Sequence, residues 1–105
     1  MSRRRGKYGA IRTTVHGWTF DSKREAARYQ DLLLLGEAGE IRNLELQPSY
    51  PISIFGHPIC VYRADFAYDD ASGHVVEDVK GYRTAAYRLK KKLVEAQYGI
   101  PVRET

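Results

Sequence analysis

The sequence predicts a mixed α/β (α+β) fold in which two helices flank a mixed β-sheet. Helical periodicity begins at Asp21 or Ser22, and again after Thr84. Runs rich in β-branched and aromatic residues lie between and after these helices and favour strands. The predicted strands cover 41–46, 51–55, 59–68 and 74–80, with a last edge strand at 100–103. We therefore expect a mixed sheet of about four to five strands in one small domain.

Local signals at the ends of the segments support these elements. Ser22 and Glu25 have the spacing of a capping box at the start of the first helix. Segment 13–20 has strand-forming residues on both sides of a His-Gly pair, which predicts a tight hairpin. Gly99 is placed to end the second helix.

Composition limits the classes of function. The net charge of +4 favours a polyanionic partner such as DNA, although a solvated basic surface without such a partner is the alternative. The single cysteine, Cys60, excludes an internal disulfide framework and a cysteine-based zinc site, and we expect it to be buried. No apolar run approaches the roughly 20 residues of a membrane span, so we expect no membrane partner and a cytoplasmic location.

The first residues are predicted to form a basic arm. We expect a flexible arm over 1–9 and a single folded domain over 10–105. A solubilising tail is the alternative role of the arm. The arm cations predicted to contact DNA phosphates are Arg3, Arg4, Arg5 and Lys7.

A predicted hairpin in the second half of the chain carries acidic residues on both strands. The first strand contains Asp65, and the second contains Asp78 and Lys80. With a loop at 70–73, Asp65 lies opposite Asp78, and Lys80 points to the same face. Two close carboxylates repel unless a cation joins them, and their hard oxygen atoms suit Mg²⁺ or Mn²⁺. This register predicts a metal site for phosphodiester hydrolysis.

Other interpretations of the hairpin stay open. A five-residue loop would set Glu77 opposite Asp65 and turn Lys80 away, which makes Glu77 the alternative second ligand. In the preferred register Glu77 lies on the other, mostly apolar face beside Phe66 and Ala64, and we expect it at the margin of the sheet. The acids and the lysine could also form an ordinary exposed face or a cross-strand salt bridge.

The spacing of Asp65, Asp78 and Lys80 resembles the signature of the PD-(D/E)XK nuclease superfamily, in which an acid in one strand precedes (D/E)-x-K in the next. Ala64 stands where that signature has proline. The resemblance implies a restriction-endonuclease-like core of order αβββαβ. It also implies that a glutamate on the first core helix joins the site, and Glu25 occupies that place. Capping the helix is the alternative role of Glu25.

A longer stretch, from Lys7 to about Lys92, is similar to a family of small phage proteins catalogued as a domain of unknown function and placed among Holliday-junction-resolvase-like nucleases. The similar runs are KYGA, FDSKREAARY, LLLLGEAGEIRNLELQP, ADFAY and VVEDVKG. The similarity implies a phage-encoded, Mg²⁺-dependent endonuclease, with Mn²⁺ as a substitute, that acts on branched DNA in the host cytoplasm. It further implies a homodimer or a larger phage DNA-processing complex, and it places Gln47 near the site.

These patterns assign a role to each candidate residue. Asp65, Asp78 and Glu25 would hold the metal, while Lys80 would position the attacking water or steady the phosphate. A non-catalytic DNA-binding or recruitment module on a nuclease fold is the alternative function, because a fold does not fix a function. A structural phage protein with plain surface acids is a third. The cations of the second helix expected to guide the DNA backbone are Arg83, Lys90 and Lys91.

Overall fold

The computed structural model of the chain describes residues 12–79 and 83–105. The basic arm and Lys80 lie outside these residues, so the roles assigned to them stay predictions. The described elements, in chain order, are β1 (Thr13–Val15), β2 (Trp18–Phe20), α1 (Lys23–Glu37), β3 (Arg42–Leu46), β4 (Ser49–Ile54), β5 (His57–Arg63), β6 (Phe66–Asp70), β7 (Gly73–Asp78), α2 (Ala85–Tyr98) and β8 (Val102–Glu104).

A four-stranded sheet forms the centre of the fold, with strand order β3-β6-β7-β8. β6 pairs antiparallel with β3 and β7, whereas β8 pairs parallel with β7, so the sheet is mixed as predicted. β1–β2 and β4–β5 each form a separate two-stranded sheet. With the β4–β5 hairpin set aside, the elements from α1 to β8 follow the order αβββαβ.

Both helices begin where the local chemistry predicts. Ser22 Oγ accepts the Glu25 backbone N–H at 3.1 Å, and Thr84 Oγ1 accepts the Tyr87 backbone N–H at 3.0 Å. Each hydroxyl satisfies a donor that has no partner inside its helix. Gly99 ends α2 in the left-handed region, at a φ of 69°, where a residue without Cβ is favoured.

The prediction of one long strand over 59–68 is wrong. The chain forms β5 and then β6, because it changes partners between them: β5 pairs with β4, and β6 pairs with β3 and β7. At the break, the Ala64 N–H donates to the Pro48 carbonyl at 3.1 Å, and the Gln47 N–H donates to the Asp65 carbonyl at 2.9 Å. Ala64 therefore joins the apolar cluster that includes α2, and not the face that the sequence predicted.

Apolar clusters cover both faces of the central sheet, and neighbouring residues of β7 belong to different clusters. The α1 cluster consists of Phe20, Ala26, Tyr29, Leu32, Ile41, Phe66, Tyr68 and Val75. The α2 cluster consists of Ile52, Tyr62, Ala64, Val76, Val94 and Val102, with Cys60 partly buried against it. Burial of one such aliphatic or aromatic side chain contributes about 1.5–3 kcal/mol. Within the described residues, neither helix has the length and apolar character needed to span a membrane.

Candidate active site

Asp65 and Asp78 lie at the same end of the β6–β7 hairpin. The two strands pair so that Asp69 lies opposite His74 and Phe66 lies opposite Glu77, and Asp65 and Asp78 are the next residues beyond that last pair. The predicted pairing of Asp69 with His74 is confirmed. The connecting turn is shorter than predicted, because residues 71–72 alone join the paired strands.

Reciprocal hydrogen bonds join the two aspartates to each other's strand. The Asp65 N–H donates to Asp78 Oδ1 at 3.1 Å and to the Glu77 carbonyl at 3.2 Å. In return, the Val79 N–H donates to Asp65 Oδ2 at 2.7 Å. Asp78 is fully buried. Because each carboxylate is held by a backbone donor, the two side chains keep a fixed orientation at the end of the hairpin.

Glu25 approaches Asp65 from the first turn of α1. Its side chain is 5% exposed. Burial, followed by repulsion from the Asp65 and Asp21 carboxylates, raises the pKa of Glu25 from 4.5 to about 7. The Glu25 backbone N–H donates to the Ser22 cap, while its carboxyl group lies beside Asp65 and also has a hydrogen bond to the Asp21 backbone. The structure thus brings the carboxyl group of Glu25 to Asp65.

The donor chemistry of these carboxylates fits a hard divalent cation. Within residues 12–79 and 83–105, no group of three or more candidate ligands is arranged to hold a metal ion. Mg²⁺, however, commonly keeps several waters and takes one or two carboxylates together with substrate phosphate oxygens. Asp65 and Asp78 match that partial set, and Glu25 is a third carboxylate next to it.

Glu25→Gln is expected to stabilise the metal-free protein at high pH. The pKa of Glu25 is about 7 in the folded chain and 4.5 ordinarily, so the folded state keeps this proton up to a higher pH than the unfolded state does. The free energy of unfolding therefore falls as pH rises from the ordinary pKa through the folded pKa. A shift of this size corresponds to about 3–4 kcal/mol, which glutamine would recover. Chemical denaturation in EDTA at about pH 4 and about pH 8 measures the difference.

Glu37→Gln, at the exposed end of α1, is the matched control for this prediction. It removes the same charge from the same helix, away from the aspartates, and should change stability little at either pH. Two results would contradict the burial and repulsion described for Glu25. One is an equal change in the free energy of unfolding for the two variants at high pH, and the other is a stabilisation by Glu25→Gln that does not depend on pH.

Glu77, the alternative second ligand, has a different set of partners. Its carboxylate is fully buried and accepts two hydrogen bonds from Arg28, at 2.6 and 3.1 Å. The Tyr68 hydroxyl and Thr105 Oγ1 donate to it at 2.7 and 3.0 Å. The expectation that Glu77 lies at the sheet margin is wrong, because β7 is an inner strand and the buried charge is paired there. Glu77 contacts the site only through its backbone in these interactions: its carbonyl oxygen accepts a hydrogen bond from the Asp65 N–H.

Gln47 is also joined to Asp65, by a hydrogen bond between their backbones. Its N–H donates to the Asp65 carbonyl at 2.9 Å. Its φ is 54°, a left-handed conformation that costs a residue with a Cβ roughly 1–2 kcal/mol. Conformations of this kind cluster at functional sites, where the surrounding structure holds them in place. Gln47 therefore lies next to Asp65 in the structure.

Of the three cations in and just before α2 that were predicted to guide DNA, two are engaged with carboxylates. Arg83 Nε donates to Glu104 Oε1 at 3.0 Å, and Lys91 Nζ lies 3.1 Å from a glutamate one turn later on α2. Lys90 instead contacts backbone, since its Nζ lies 3.5 Å from the Val61 carbonyl oxygen at the side of β5. Any contact of Arg83 or Lys91 with phosphate has to compete with an existing ion pair.

Two residues that support the site were not predicted from the sequence. Arg28, the partner of the buried glutamate, lies three residues after Glu25, and this spacing puts both side chains on one face of α1. Tyr87 on α2 donates its hydroxyl to Glu104 Oε2 at 2.8 Å. Burial, that hydrogen bond and the nearby Asp78 carboxylate raise the pKa of Tyr87. The helical spacing could have indicated Arg28, whereas only tertiary packing connects Tyr87 to the site.

Fold and site together define a mixed α/β domain whose αβββαβ core brings carboxylates from α1, β7 and the start of β6 to one place. The chain belongs to the family described as "Protein of unknown function (DUF1064)", whose model matches residues 5–103. Comparisons with curated proteins and with solved structures find no match.

Proposed function

We propose that this protein is a divalent-metal-dependent DNA endonuclease of the PD-(D/E)XK superfamily. The observation that carries the proposal is the position of Asp65 and Asp78 at the same end of two paired strands, with Glu25 beside Asp65. The αβββαβ order of the core agrees with the order expected of that superfamily. Lys80 follows Asp78 by two residues and completes the motif in the sequence.

The residues divide the chemistry among them. Asp65 and Asp78 supply oxygen ligands for Mg²⁺, or for Mn²⁺ in its place, and Glu25 adds a third carboxylate. When bound, the metal ion lowers the pKa of a coordinated water and offsets charge on the phosphate. The repulsion that raises the pKa of Glu25 is relieved when a cation neutralises Asp65. Lys80 orients the attacking water or the phosphate.

Charge supports DNA as the substrate. The chain carries a net charge of +4, and its cations are concentrated in the arm and in α2. The similarity to Holliday-junction-resolvase-like nucleases supports branched DNA in particular. Resolution of a four-way junction requires two cuts, and we therefore propose that two copies of the chain act together.

A non-catalytic DNA-binding module is the second candidate. One observation favours it: the described part of the chain holds no ready group of three metal ligands. On this alternative, the cations still contact DNA phosphates and the salt dependence of binding stays steep, but no strand is cut.

Cleavage assays with labelled DNA distinguish the two candidates. Purified protein is incubated with four-way-junction, linear duplex and single-stranded DNA, each with Mg²⁺, Mn²⁺ or EDTA. We expect the junction to be cut with either metal and to stay intact in EDTA, because the chemistry requires the cation. Binding without cleavage under all conditions would support the non-catalytic module. Absence of both binding and cleavage would contradict both candidates.

A further inference from the structure

The β4–β5 hairpin ends in an exposed aromatic residue. Phe55 occupies the two-residue turn with Gly56, and 97% of its surface is exposed. The φ angles of these residues are 50° and 79°, a pattern in which asparagine or aspartate normally precedes the glycine. A phenylalanine in this left-handed position is strained, and its ring gains little packing in return. A strained residue at an exposed position indicates that Phe55 has a function other than stabilising the fold.

Exposed apolar side chains continue down one face of the same hairpin. Ile59 and Val61, two residues apart on β5, are each about half exposed. Ile52 and Tyr62, on the opposite face, are buried in the α2 cluster. Because neighbouring residues of a strand point to opposite faces, one face of the hairpin packs on α2 while the other faces outward. A contiguous outward apolar surface of this kind is typical of a binding surface.

Helix α2 holds the hairpin in place. Gln97 Oε1 accepts the Ser53 N–H at 3.0 Å, and Gln97 Nε2 donates to the Pro51 carbonyl at 3.0 Å. The Tyr98 hydroxyl donates to the same carbonyl at 2.7 Å. The turn that carries Phe55 therefore projects from a braced element, and a recognition residue needs such support to keep its position.

Charge along the hairpin favours a polyanion as the partner. Residues 46–64 contain no aspartate or glutamate. Arg63 is exposed at the end of β5, and Lys90 Nζ lies 3.5 Å from the Val61 carbonyl oxygen. Phosphates that approach along this element meet cations without acidic repulsion. Asp65 follows Arg63 by two residues, so the base of the hairpin adjoins the candidate active site.

We propose that Phe55 is a wedge that inserts between bases of the DNA substrate, while the cations at the base of the hairpin hold the phosphates. Apolar side chains inserted between base steps unstack and kink DNA in several architectural proteins. Insertion costs least where bases are already poorly stacked, so the wedge selects branched or distorted DNA. This inference rests on the proposed function in taking DNA as the ligand, but it requires no cleavage.

Binding experiments in EDTA with 2-aminopurine at a junction branch point test the wedge. We expect the fluorescence of the probe to rise when the protein binds, since unstacking relieves quenching. Phe55→Asn removes the ring but suits the left-handed turn, so the melting temperature should be maintained or raised. We expect this variant to lose the fluorescence rise and to bind the junction about ten- to a hundredfold more weakly.

Two further variants serve as controls. Phe55→Trp keeps a stacking ring and should keep the fluorescence rise. Leu34→Ala removes a side chain of α1 that is also largely exposed, and it should leave affinity and fluorescence unchanged. Normal affinity and a normal signal in Phe55→Asn would overturn the wedge.

The outcomes separate this inference from the proposed nuclease activity. Metal-dependent cleavage without the aminopurine signal would overturn the wedge alone, whereas the signal without any cleavage would overturn the endonuclease alone. Sedimentation of the free protein gives a further test. If Phe55→Asn converts a dimer into a monomer in the absence of DNA, the hairpin contacts a second copy of the chain, and the wedge is overturned.

Discussion

Asp65→Asn and Asp78→Asn are each expected to reduce Mg²⁺-dependent DNA cleavage at least about a hundredfold, because changes to groups that merely support metal ligands already cost roughly 10–100-fold. The fold should persist. Asparagine keeps an acceptor oxygen for the Asp65 N–H, which lies 3.1 Å from Asp78 Oδ1, and for the Val79 N–H, which lies 2.7 Å from Asp65 Oδ2. Initial rates on a labelled junction at saturating protein, with a Mg²⁺ titration, measure the loss.

Asp69→Asn is the matched control for these two variants. Asp69 lies on β6, four residues after Asp65, and its carboxylate contacts Asn43 Nδ2 and His74 Nδ1, each at 2.8 Å. Its replacement should leave cleavage unchanged. Lys80→Ala should reduce cleavage while metal affinity is retained, because a lysine is not a ligand of Mg²⁺. Cleavage at the parental rate in both aspartate variants would place the chemistry elsewhere in the molecule.

Arg28→Met is expected to lower the free energy of unfolding by about 3–5 kcal/mol near neutral pH, since it leaves a buried carboxylate without its charged partner. Glu77 is 0% exposed, and Arg28 supplies two of its hydrogen bonds. Methionine preserves much of the apolar length of arginine but none of its charge. The hydroxyls of Tyr68 and Thr105 would remain as the donors to Glu77. Urea unfolding of both proteins in EDTA measures the change.

The pH dependence of this loss identifies its cause. Burial by itself raises the pKa of Glu77, but hydrogen bonds from Arg28 and Tyr68 outweigh it and hold the pKa below its usual value. A carboxyl group with a lowered pKa stabilises the fold above its ordinary pKa, and this contribution is lost as pH falls through the folded pKa. Without Arg28 the pKa of Glu77 rises. The loss of unfolding free energy in Arg28→Met should therefore be largest near neutral pH and smaller at about pH 4, where Glu77 becomes neutral.

Arg83→Met is the control, because Arg83 forms the same kind of pair at the surface. Its Nε lies 3.0 Å from Glu104 Oε1, and the two side chains are 42% and 26% exposed. Exposed pairs contribute about 0–1 kcal/mol, so this variant should lose little stability. Similar losses in Arg28→Met and Arg83→Met, or a loss in Arg28→Met that does not change with pH, would contradict the account of Glu77 as a buried, paired charge.

The sequence by itself determined the features that depend on neighbouring residues. Ser22 and Thr84 cap the two helices as their spacing predicts, because a cap involves residues only three positions apart. The hairpin register is equally local. A short turn sets which residues face each other, so the pairing of Asp69 with His74, and with it the placement of Asp65 and Asp78 at one end of the hairpin, could be predicted from the chain alone.

Tertiary structure decided the features that depend on distant segments. The strand predicted over 59–68 divides at Ala64 because Gln47 and Pro48, far earlier in the chain, bond to the backbone at the break. Glu77 is buried because Arg28, 49 residues away, supplies its charge partner. The approach of Glu25 to Asp65, which raises the Glu25 pKa, likewise depends on how α1 packs on the sheet. Burial and long-range pairing are properties of the packed molecule, and no local pattern of residues encodes them.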